Sequence, residues 1–384
     1  MNFENEYTLI KDEIIAVRRL IHQNPELSFE EIQTSRTICD VLDKYGISYR
    51  KRIAKTGICA HIGKSDSKVL LIRADIDALP TEEKTGLPYS SKKNGVMHAC
   101  GHDIHIASAL AAAIILKKYE HVLNGSVKIV FQPAEETTGG AMPMIDEGIL
   151  DNPAVTSALG GHVSPDLGVG KIKVKPGALM ASPDDFMIKF IGKSSHGAEP
   201  ENGINPIIPA AEFASEISKE AKELCSGGNV LSICTLSSDG GINTIPDEAL
   251  ILGTFRSFDE DSRKTASELI YNFADEKAKK YGAKIEYKYN FLYPPVINDN
   301  KMTEDLISIA QNALGAENVL KFEKPLMTGD DFSYFCRYVP SVYFWYGADS
   351  GNGAPLHSSQ FTADEGAIET CAKVFCEFTK WYLG

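Results

Sequence analysis

The sequence contains no long apolar run. Its most apolar stretch, residues 106–116, is rich in alanine and shorter than the ~20 apolar residues that a helix needs to span a bilayer. The N-terminus has no basic start and no apolar segment behind it, so no signal peptide is predicted. We therefore expect a soluble, cytoplasmic protein with no membrane partner.

A paired cysteine framework and an excess of basic residues are also lacking. The eight cysteines are scattered, which is typical of reduced thiols in a reducing compartment. The formal net charge is −13, from 39 basic and 52 acidic residues, and this argues against nucleic acid as a partner. At 384 residues the chain is too long for one hydrophobic core, so two domains are expected.

Helices and strands alternate in the first part of the chain. Apolar residues at helical spacing between Ile10 and Ile21 predict an opening helix. Residues 28–31 match a capping box that starts a second helix, which Gly46 ends. Strands at 69–72 and 127–131 and a helix at 104–119 follow. This alternation predicts an α/β layer with a mixed, largely parallel sheet.

The pattern changes at about Pro183. A strand, a helix, two strands, a helix and a strand are predicted at 185–191, 207–224, 230–236, 249–255, 262–281 and 285–289. This β-α-β-β-α-β order is typical of a ferredoxin-like α+β domain. Alternation then resumes and ends in a helix at about 364–382. We predict a discontinuous domain of residues 1–182 and 293–384, interrupted by an inserted domain of residues 183–292.

Potential metal ligands occur at the predicted strand ends, where chemistry sits in such sheets. Residues 97–105 combine a thiol, three imidazoles and a carboxylate. Cys100 and His102 suit metals such as zinc, and Gly101 lets the backbone turn so that both side chains converge. A Cys-x-His pair alone also fits a helix start with a buried cysteine and solvent-facing histidines.

Two further groups of residues favour the metal-site interpretation over the helix-start interpretation. Glu135 and Glu136 directly follow a predicted buried strand, so one can bind a metal while the other acts as a general base on water. A solvated loop would explain the pair alone. His162 ends another apolar run and His357 lies in a loop, where a single histidine is often just packed or capping. The four elements together favour a two-metal hydrolase.

Six segments in this order resemble the aminoacylase/carboxypeptidase metallopeptidase family: RADIDALP (73–80), MHACGHDIH (97–105), QPAEE (132–136), SHGAEP (195–200), GTFRSF (253–258) and Asp331-Phe332. Within it the chain is most similar to the amidohydrolase branch, which contains hippurate hydrolase, auxin-conjugate hydrolases and N-acetyl-diaminopimelate deacetylase. The resemblance runs from about His22 to His357. It implies a metal-binding catalytic domain with an inserted lid and dimerisation domain, and hence a homodimer formed through the insert.

The resemblance also implies a role for each candidate residue. The implied ligands of two divalent ions per subunit (zinc, manganese, cobalt or nickel) are Cys100, His102, Glu136, His162 and His357, with Cys100 as a bridge. Glu135 is the implied general base, and Asp77 orients a ligand or tunes Glu135. His196 stabilises the oxyanion, in many relatives from the neighbouring subunit. Asn243 and Arg256 bind the substrate carboxylate, with a surface salt bridge as the alternative for Arg256.

The activity implied is hydrolysis of the amide bond of a small N-acyl amino acid of acetyl, benzoyl or indole-acetyl type. A dipeptidase or carboxypeptidase on the same scaffold is the nearest alternative, and an inactive ligand-binding relative is another. A redox role for Cys100 is disfavoured because no resolving cysteine lies near it in sequence. The chain departs from the usual family pattern at Glu201, Asn205 and Asp330, which leaves substrate preference open.

Overall fold

The structure is a computed structural model that describes residues 2–384. The chain forms two compact units, the first from Met1–Leu179, Ile297–Lys324 and Asp331–Gly384, and the second from Met180–Val296 and Pro325–Asp330. No helix within residues 2–384 is both long enough and apolar enough to cross a membrane.

The elements are numbered along the chain. The α-helices are α1 (Phe3–Gln23), α2 (Ile32–Lys44), α3 (His102–Lys118), α4 (Ala141–Asp146), α5 (Ile207–Glu220), α6 (Lys222–Cys225), α7 (Glu260–Lys280), α8 (Asn300–Leu314), α9 (Ser333–Tyr338) and α10 (Gly366–Leu383). The strands are β1 (Ser48–Ile53), β2 (Gly57–Gly63), β3 (Val69–Asp75), β4 (Ser126–Gln132), β5 (Ser157–Ser164), β6 (Ile172–Val174), β7 (Gly177–Met180), β8 (Ser182–Ile191), β9 (Ser195–His196), β10 (Val230–Ser238), β11 (Thr244–Ile245), β12 (Glu248–Ser257), β13 (Lys284–Asn290), β14 (Val296–Asn298), β15 (Val319–Lys321) and β16 (Ser341–Gly347).

The first unit is built on an eight-stranded sheet in the order β1-β2-β4-β3-β5-β16-β6-β15. The central pairs β4–β3, β3–β5 and β5–β16 are parallel, whereas β1–β2, β2–β4 and β16–β6 are antiparallel. The mixed, largely parallel sheet predicted from the sequence is therefore confirmed. Helix α3 is buried along almost its whole length because its small alanine side chains let α1 and α10 approach it closely.

The predicted capping box at residues 28–31 is wrong. Helix α2 begins at Ile32, and its N-terminus has no side-chain cap. The Ser28 hydroxyl donates instead to Asp77, and the Glu31 carboxylate accepts the main-chain N–H groups of Phe29 and Ala134. Hydrogen bonds with Asp77 and Ala134, which lie in distant segments, thus occupy the side chains of Ser28 and Glu31 that would otherwise cap the helix. The predicted end of this helix is confirmed, since Gly46 follows it in the left-handed region.

The second unit has the predicted ferredoxin-like order of elements. Its antiparallel sheet runs β10-β12-β8-β13, and α5 and α7 pack against it through a core that includes Phe190, Phe213 and Phe255. The helix predicted at 207–224 is two helices, because the backbone departs from helical geometry at Ala221 between α5 and α6.

Strand topology brings the polar motifs of the first unit to one edge of its sheet. The parallel strands β3, β4 and β5 end at Asp75, Gln132 and Ser164, respectively. The carboxyl ends of neighbouring parallel strands lie at the same sheet edge. The residues that follow β3 and β4, and those that end β5, therefore meet there.

Candidate metal centre

Gly101 allows the two ligand-bearing segments of the centre to approach each other. It adopts a left-handed conformation (φ 81°) directly before α3. A Cβ atom at this position would lie 2.6 Å from Cγ2 of Val163 on β5, so both the backbone angle and the packing require glycine. The side chains of Cys100 and His102, on either side of Gly101, consequently lie next to the end of β5.

The structure brings all five predicted metal ligands together in the first unit. Cys100 Sγ lies 3.3 Å from His162 Nε2. Glu136 Oε1 lies 3.7 Å from His102 Nε2 and 3.5 Å from His357 Nε2. Ligand atoms lie within 4.8 Å of one another in two sets that share Cys100, one with His102 and His162, the other with Glu136 and His357. The shared thiol is suited to bridging two ions.

Main-chain carbonyl groups fix which imidazole nitrogens face the centre. His102 Nδ1 lies 2.9 Å from the carbonyl oxygen of Asp77, and His162 Nδ1 lies 2.8 Å from that of Val163. A carbonyl oxygen can only accept a hydrogen bond, so Nδ1 of each ring carries the proton. In the neutral form of each ring, Nε2 is therefore the nitrogen whose lone pair can bind a metal.

Unpaired atoms in the cluster fit a divalent cation. Among residues 2–384, His102 Nε2 and Glu136 Oε1 are buried without a hydrogen-bond partner, although an unpaired buried polar atom is costly. The separations of 3.3–3.7 Å between donors match the ~3.4 Å expected between ligands at ~2.1 Å from a tetrahedral ion. A thiol, imidazoles and a carboxylate are also the ligand types that zinc and similar metals bind.

Electrostatics at the centre favour a positive charge. Burial opposes ionisation of His102, yet the carboxylates of Asp75 and Asp77 outweigh it and raise the pKa of this imidazole to about 10. Burial, together with Glu136 and Glu135, raises the pKa of the Cys100 thiol well above its ordinary value. Burial and the neighbouring His105 hold the pKa of His162 well below its ordinary value, so that ring is neutral. The negative potential at His102 and Cys100 is one that a bound cation would neutralise.

Asp77 supports two of the candidate ligands, His102 and Glu136. Its carbonyl oxygen orients His102, while carboxylate Oδ2 accepts the Glu136 main-chain N–H at 3.0 Å and the Ser28 hydroxyl at 2.7 Å. Burial acts to raise the pKa of Asp77, but the hydrogen bond and charge of His102 lower it overall. An ionised Asp77 therefore connects β3 to α3 and to the loop after β4.

The loop carrying Glu135 is held by a second buried carboxylate. Glu31 accepts the Ala134 N–H at 3.0 Å and the Thr56 hydroxyl at 2.5 Å, and burial raises its pKa to about 7. Ala134 has φ of 56°, which is unusual for a residue other than glycine. Glu135 is 9% exposed, and its carboxylate forms a third set within 4.8 Å with His102 and Glu136. A water-activating role requires such a placement beside the ligands.

The other predicted site residues lie in the second unit. His196 is exposed on β9, which pairs with β11. Its Nδ1 accepts the Ala198 N–H at 3.1 Å, so the proton is on Nε2 and available as a donor. The Asn243 carbonyl accepts the Gly197 N–H at 2.7 Å, which brings Asn243 beside His196. Arg256 lies in the other sheet of this unit, half-buried on β12.

Several supporting residues were not assigned a role from the sequence. The Asp331 carboxylate accepts from Arg73 Nη2 at 2.7 Å, from Gln132 Nε2 at 2.8 Å and from the Ala141 N–H at 2.9 Å. These bonds join β3, β4 and α4 beneath the centre. The motifs that contain these residues were visible, but partners as far apart as Arg73 and Asp331 cannot be paired from spacing alone. Ser28, Glu31, Asp75 and His105 were missed for the same reason.

A cluster of thiol, imidazole and carboxylate groups beside a glutamate, at the edge of a largely parallel sheet, is the arrangement expected of a metal-dependent hydrolase. Residues 71–381 match Peptidase family M20/M25/M40, and the chain belongs to this family; it is a metal-dependent amidohydrolase. It is 36% identical to N-acetyl-L-cysteine deacetylase of Bacillus subtilis (strain 168) over 97% of this chain and 89% of that protein. It is also 36% identical to thermostable carboxypeptidase 2 of Saccharolobus solfataricus over 95% and 94% of the two chains.

A solved structure shows the same architecture. The crystal structure of a dinuclear metal binding peptidase from the M20 family of Bacillus subtilis superimposes with a TM-score of 0.86 at 34% identity, covering 98% of this chain and 99% of that chain. The family resemblance noted in the sequence is confirmed by these matches.

Proposed function

We propose that the protein hydrolyses the acyl–amide bond of small N-acyl amino acids with two divalent ions. The observation that carries this proposal is the convergence of Cys100, His102, Glu136, His162 and His357; two buried atoms of this set, His102 Nε2 and Glu136 Oε1, have no hydrogen-bond partner among residues 2–384. The similarity to a deacetylase of an N-acyl amino acid supports this substrate class.

The proposed division of labour follows from the protonation states. Cys100, His102, Glu136, His162 and His357 would hold the two ions, which would lower the pKa of a water molecule and polarise the substrate carbonyl. Glu135 takes a proton from that water and returns it to the leaving amine. His162 is neutral, so its Nε2 is ready to bind an ion, whereas His102, with its raised pKa, would release its Nε2 proton when the ion binds.

The second unit supplies the remaining groups in this proposal. His196 carries its proton on the exposed Nε2, so it can donate to the oxyanion of the tetrahedral intermediate. Asn243, on the segment beside it, and Arg256 bind the free carboxylate of the amino acid. Burial lowers the pKa of Arg256, but a guanidinium remains charged at neutral pH.

A homodimer formed through the second unit is part of the same proposal. β10 is an edge strand of its sheet, and it exposes Val230 and Leu236. An edge strand with exposed apolar residues is suited to pairing with another strand, here β10 of a second copy. Equilibrium sedimentation should give twice the chain mass, and Leu236→Lys should shift the equilibrium towards monomer.

The alternative on the same scaffold is a dipeptidase or carboxypeptidase, which the similarity to a carboxypeptidase favours. The deciding experiment is a panel of N-acetyl, N-benzoyl and indole-acetyl amino acids assayed beside unblocked dipeptides and N-blocked peptides. Preferential turnover of the N-acyl amino acids supports the proposal. Preference for peptides would replace it with the alternative.

Metal dependence is tested in the same assay. Exhaustive chelation should abolish hydrolysis, and added zinc, manganese, cobalt or nickel should restore it. Undiminished turnover by a preparation that elemental analysis shows to be metal-free would refute the proposed mechanism.

A further inference from the structure

His105 is a buried histidine of α3 without a place among the proposed ligands. Its Nε2 accepts the main-chain N–H of Val163 at 3.1 Å. A main-chain N–H can only donate, so Nε2 is unprotonated and the ring proton is on Nδ1. That nitrogen is hydrogen-bonded to the Asp75 carboxylate, which also accepts from Arg73 Nη1 at 2.6 Å. The geometry therefore assigns one tautomer to His105.

Val163 directly follows the proposed ligand His162 and is held on three sides. Its N–H donates to His105, and its carbonyl oxygen accepts from His162 Nδ1 at 2.8 Å. Its side chain contacts Gly101, between Cys100 and His102, so closely that a Cβ there would clash. The His105 and His162 rings pack edge to face with their centroids 4.7 Å apart. The position of Val163 thus determines where the His162 ring lies.

Sheet topology explains why a side chain, rather than a neighbouring strand, accepts the main-chain N–H of Val163. β5 pairs with β3 only as far as the register Arg73↔Gly160, while β5 continues to Ser164. Beyond Gly160, β5 has no β3 neighbour, and a buried main-chain N–H without an acceptor is costly. The His105 imidazole provides the acceptor for Val163 at the point where β5 carries a ligand.

We propose that His105 is a positioning residue for the metal centre: held by Asp75, it fixes Val163 and thereby the orientation and tautomer of His162. The hydrogen bonds run in series from Arg73 through Asp75, His105 and Val163 to His162, whose Nε2 faces Cys100 at 3.3 Å. The inference rests on the proposed function, because it concerns the ion that His162 would bind.

Two amide substitutions separate the two hydrogen bonds of His105. In His105→Gln the side-chain amide can reach the place of Nε2 and keep an acceptor for Val163. In His105→Asn the side-chain amide reaches only the place of Nδ1. This variant keeps a donor to Asp75 but loses the acceptor for the Val163 N–H. Ser108→Ala is the matched control, since Ser108 is equally buried in α3 and its hydroxyl donates to the Ile104 carbonyl oxygen within that helix at 2.7 Å.

The measurement is cobalt(II) binding by competition with a chelator, together with the absorption spectrum of the cobalt-loaded protein. His105→Asn should lower affinity ~10–100-fold, the usual effect of losing support behind a metal-binding histidine, and should shift the cobalt bands. His105→Gln should recover most of the affinity, and Ser108→Ala should keep the wild-type affinity and spectrum. Equal affinities and spectra for the Asn and Gln variants would overturn the inference.

A tautomer measurement on the wild-type protein does not depend on whether the variants fold. Two-bond 1H–15N spectra of histidine-labelled, metal-free protein should show His105 and His162 as Nδ1–H tautomers. A proton on Nε2 of His105 would overturn the inference. Failure of the wild-type protein to bind any divalent ion would instead refute the proposed function, so the two failures are distinguishable.

Discussion

His102 Nδ1 lies 2.9 Å from the main-chain carbonyl oxygen of Asp77. This bond survives a change of the Asp77 side chain, because the carbonyl belongs to the backbone. Asp77→Asn should therefore keep the His102 tautomer but remove the charge that supports His102 and Glu136. We expect metal affinity to fall ~10–100-fold, measured by chelator competition. Ser28→Ala, which removes one hydrogen bond to this carboxylate, should have a smaller effect; unchanged affinity in Asp77→Asn would contradict the role.

Changing Glu135 and Glu136 to glutamine, one at a time, should have different effects on metal binding and on turnover. Glu136→Gln should lose metal, because its carboxylate contributes a ligand charge. Glu135→Gln should keep its metal while turnover falls by ~10²–10⁴, the scale of general acid–base catalysis. Metal per subunit from elemental analysis and kcat from a steady-state assay test both expectations. An empty site in Glu135→Gln beside a full one in Glu136→Gln would reverse the assignment.

We expect His196 to stabilise the transition state without contributing to metal binding or to substrate binding. His196→Ala is expected to keep both metals and a near-normal KM while kcat falls by ~10²–10³, as when one oxyanion donor is removed. His121→Ala serves as the control, since His121 is also an exposed histidine and has no proposed role. A fully active His196→Ala would exclude the residue from the mechanism.

Subunit exchange tests where His196 acts. Inactive His196→Ala protein mixed with inactive Glu135→Gln protein should regain activity if the histidine serves the active site of the neighbouring subunit. Proven heterodimers without activity would place His196 in the site of its own chain.

A buried histidine behind α3 should make stability depend on pH. His22 bridges two carboxylates, with Nδ1 2.8 Å from Asp103 and Nε2 3.3 Å from Glu83. Burial opposes the charged ring, but Asp103 and Glu83 outweigh it and raise the pKa of His22. Its charged form therefore stabilises the fold fully below the unfolded-state pKa of ~6.5, and this contribution is lost as pH rises through the higher folded-state pKa.

The comparison is between metal-free wild-type protein and His22→Gln in urea unfolding. At about pH 6 the variant should be less stable by about 1.5–3 kcal/mol, the scale of hydrogen bonds to charged groups, because Asp103 keeps its ion pair with Arg18 at 2.7 Å. The difference should shrink as pH rises through the folded-state pKa of His22, while Asp103 and Glu83 remain ionised. A difference independent of pH would show that His22 stabilises the fold by packing alone.

The sequence predicted the parts of the centre that local patterns encode. Cys100, Gly101 and His102 stand together in the chain, and Glu135-Glu136 follow a recognisable strand, so their meeting at one sheet edge follows from topology. The ferredoxin-like unit was predictable because its strands and helices have clear periodicity.

What the sequence did not reveal depends on tertiary contacts. Ser28 and Glu31 have a plausible local role as helix caps, but Asp77 and Ala134 provide better partners in the folded chain. The hydrogen bond from the Val163 N–H to His105 is needed because β3 ends before β5 does, so that Val163 has no β3 neighbour. Neither strand carries a local sign of that offset.

The order of strands in the first sheet has a consequence for synthesis on the ribosome. β16 lies between β5 and β6, yet it is translated only after the entire second unit. Until then β5, which carries His162, presents an open edge, and such edges are prone to wrong pairing. The nascent chain must therefore keep the middle of its sheet unfinished while the inserted unit is made, and the proposed metal site can be completed only when the last segment, which carries His357, is translated. We expect truncated chains that end before Ser341 to aggregate.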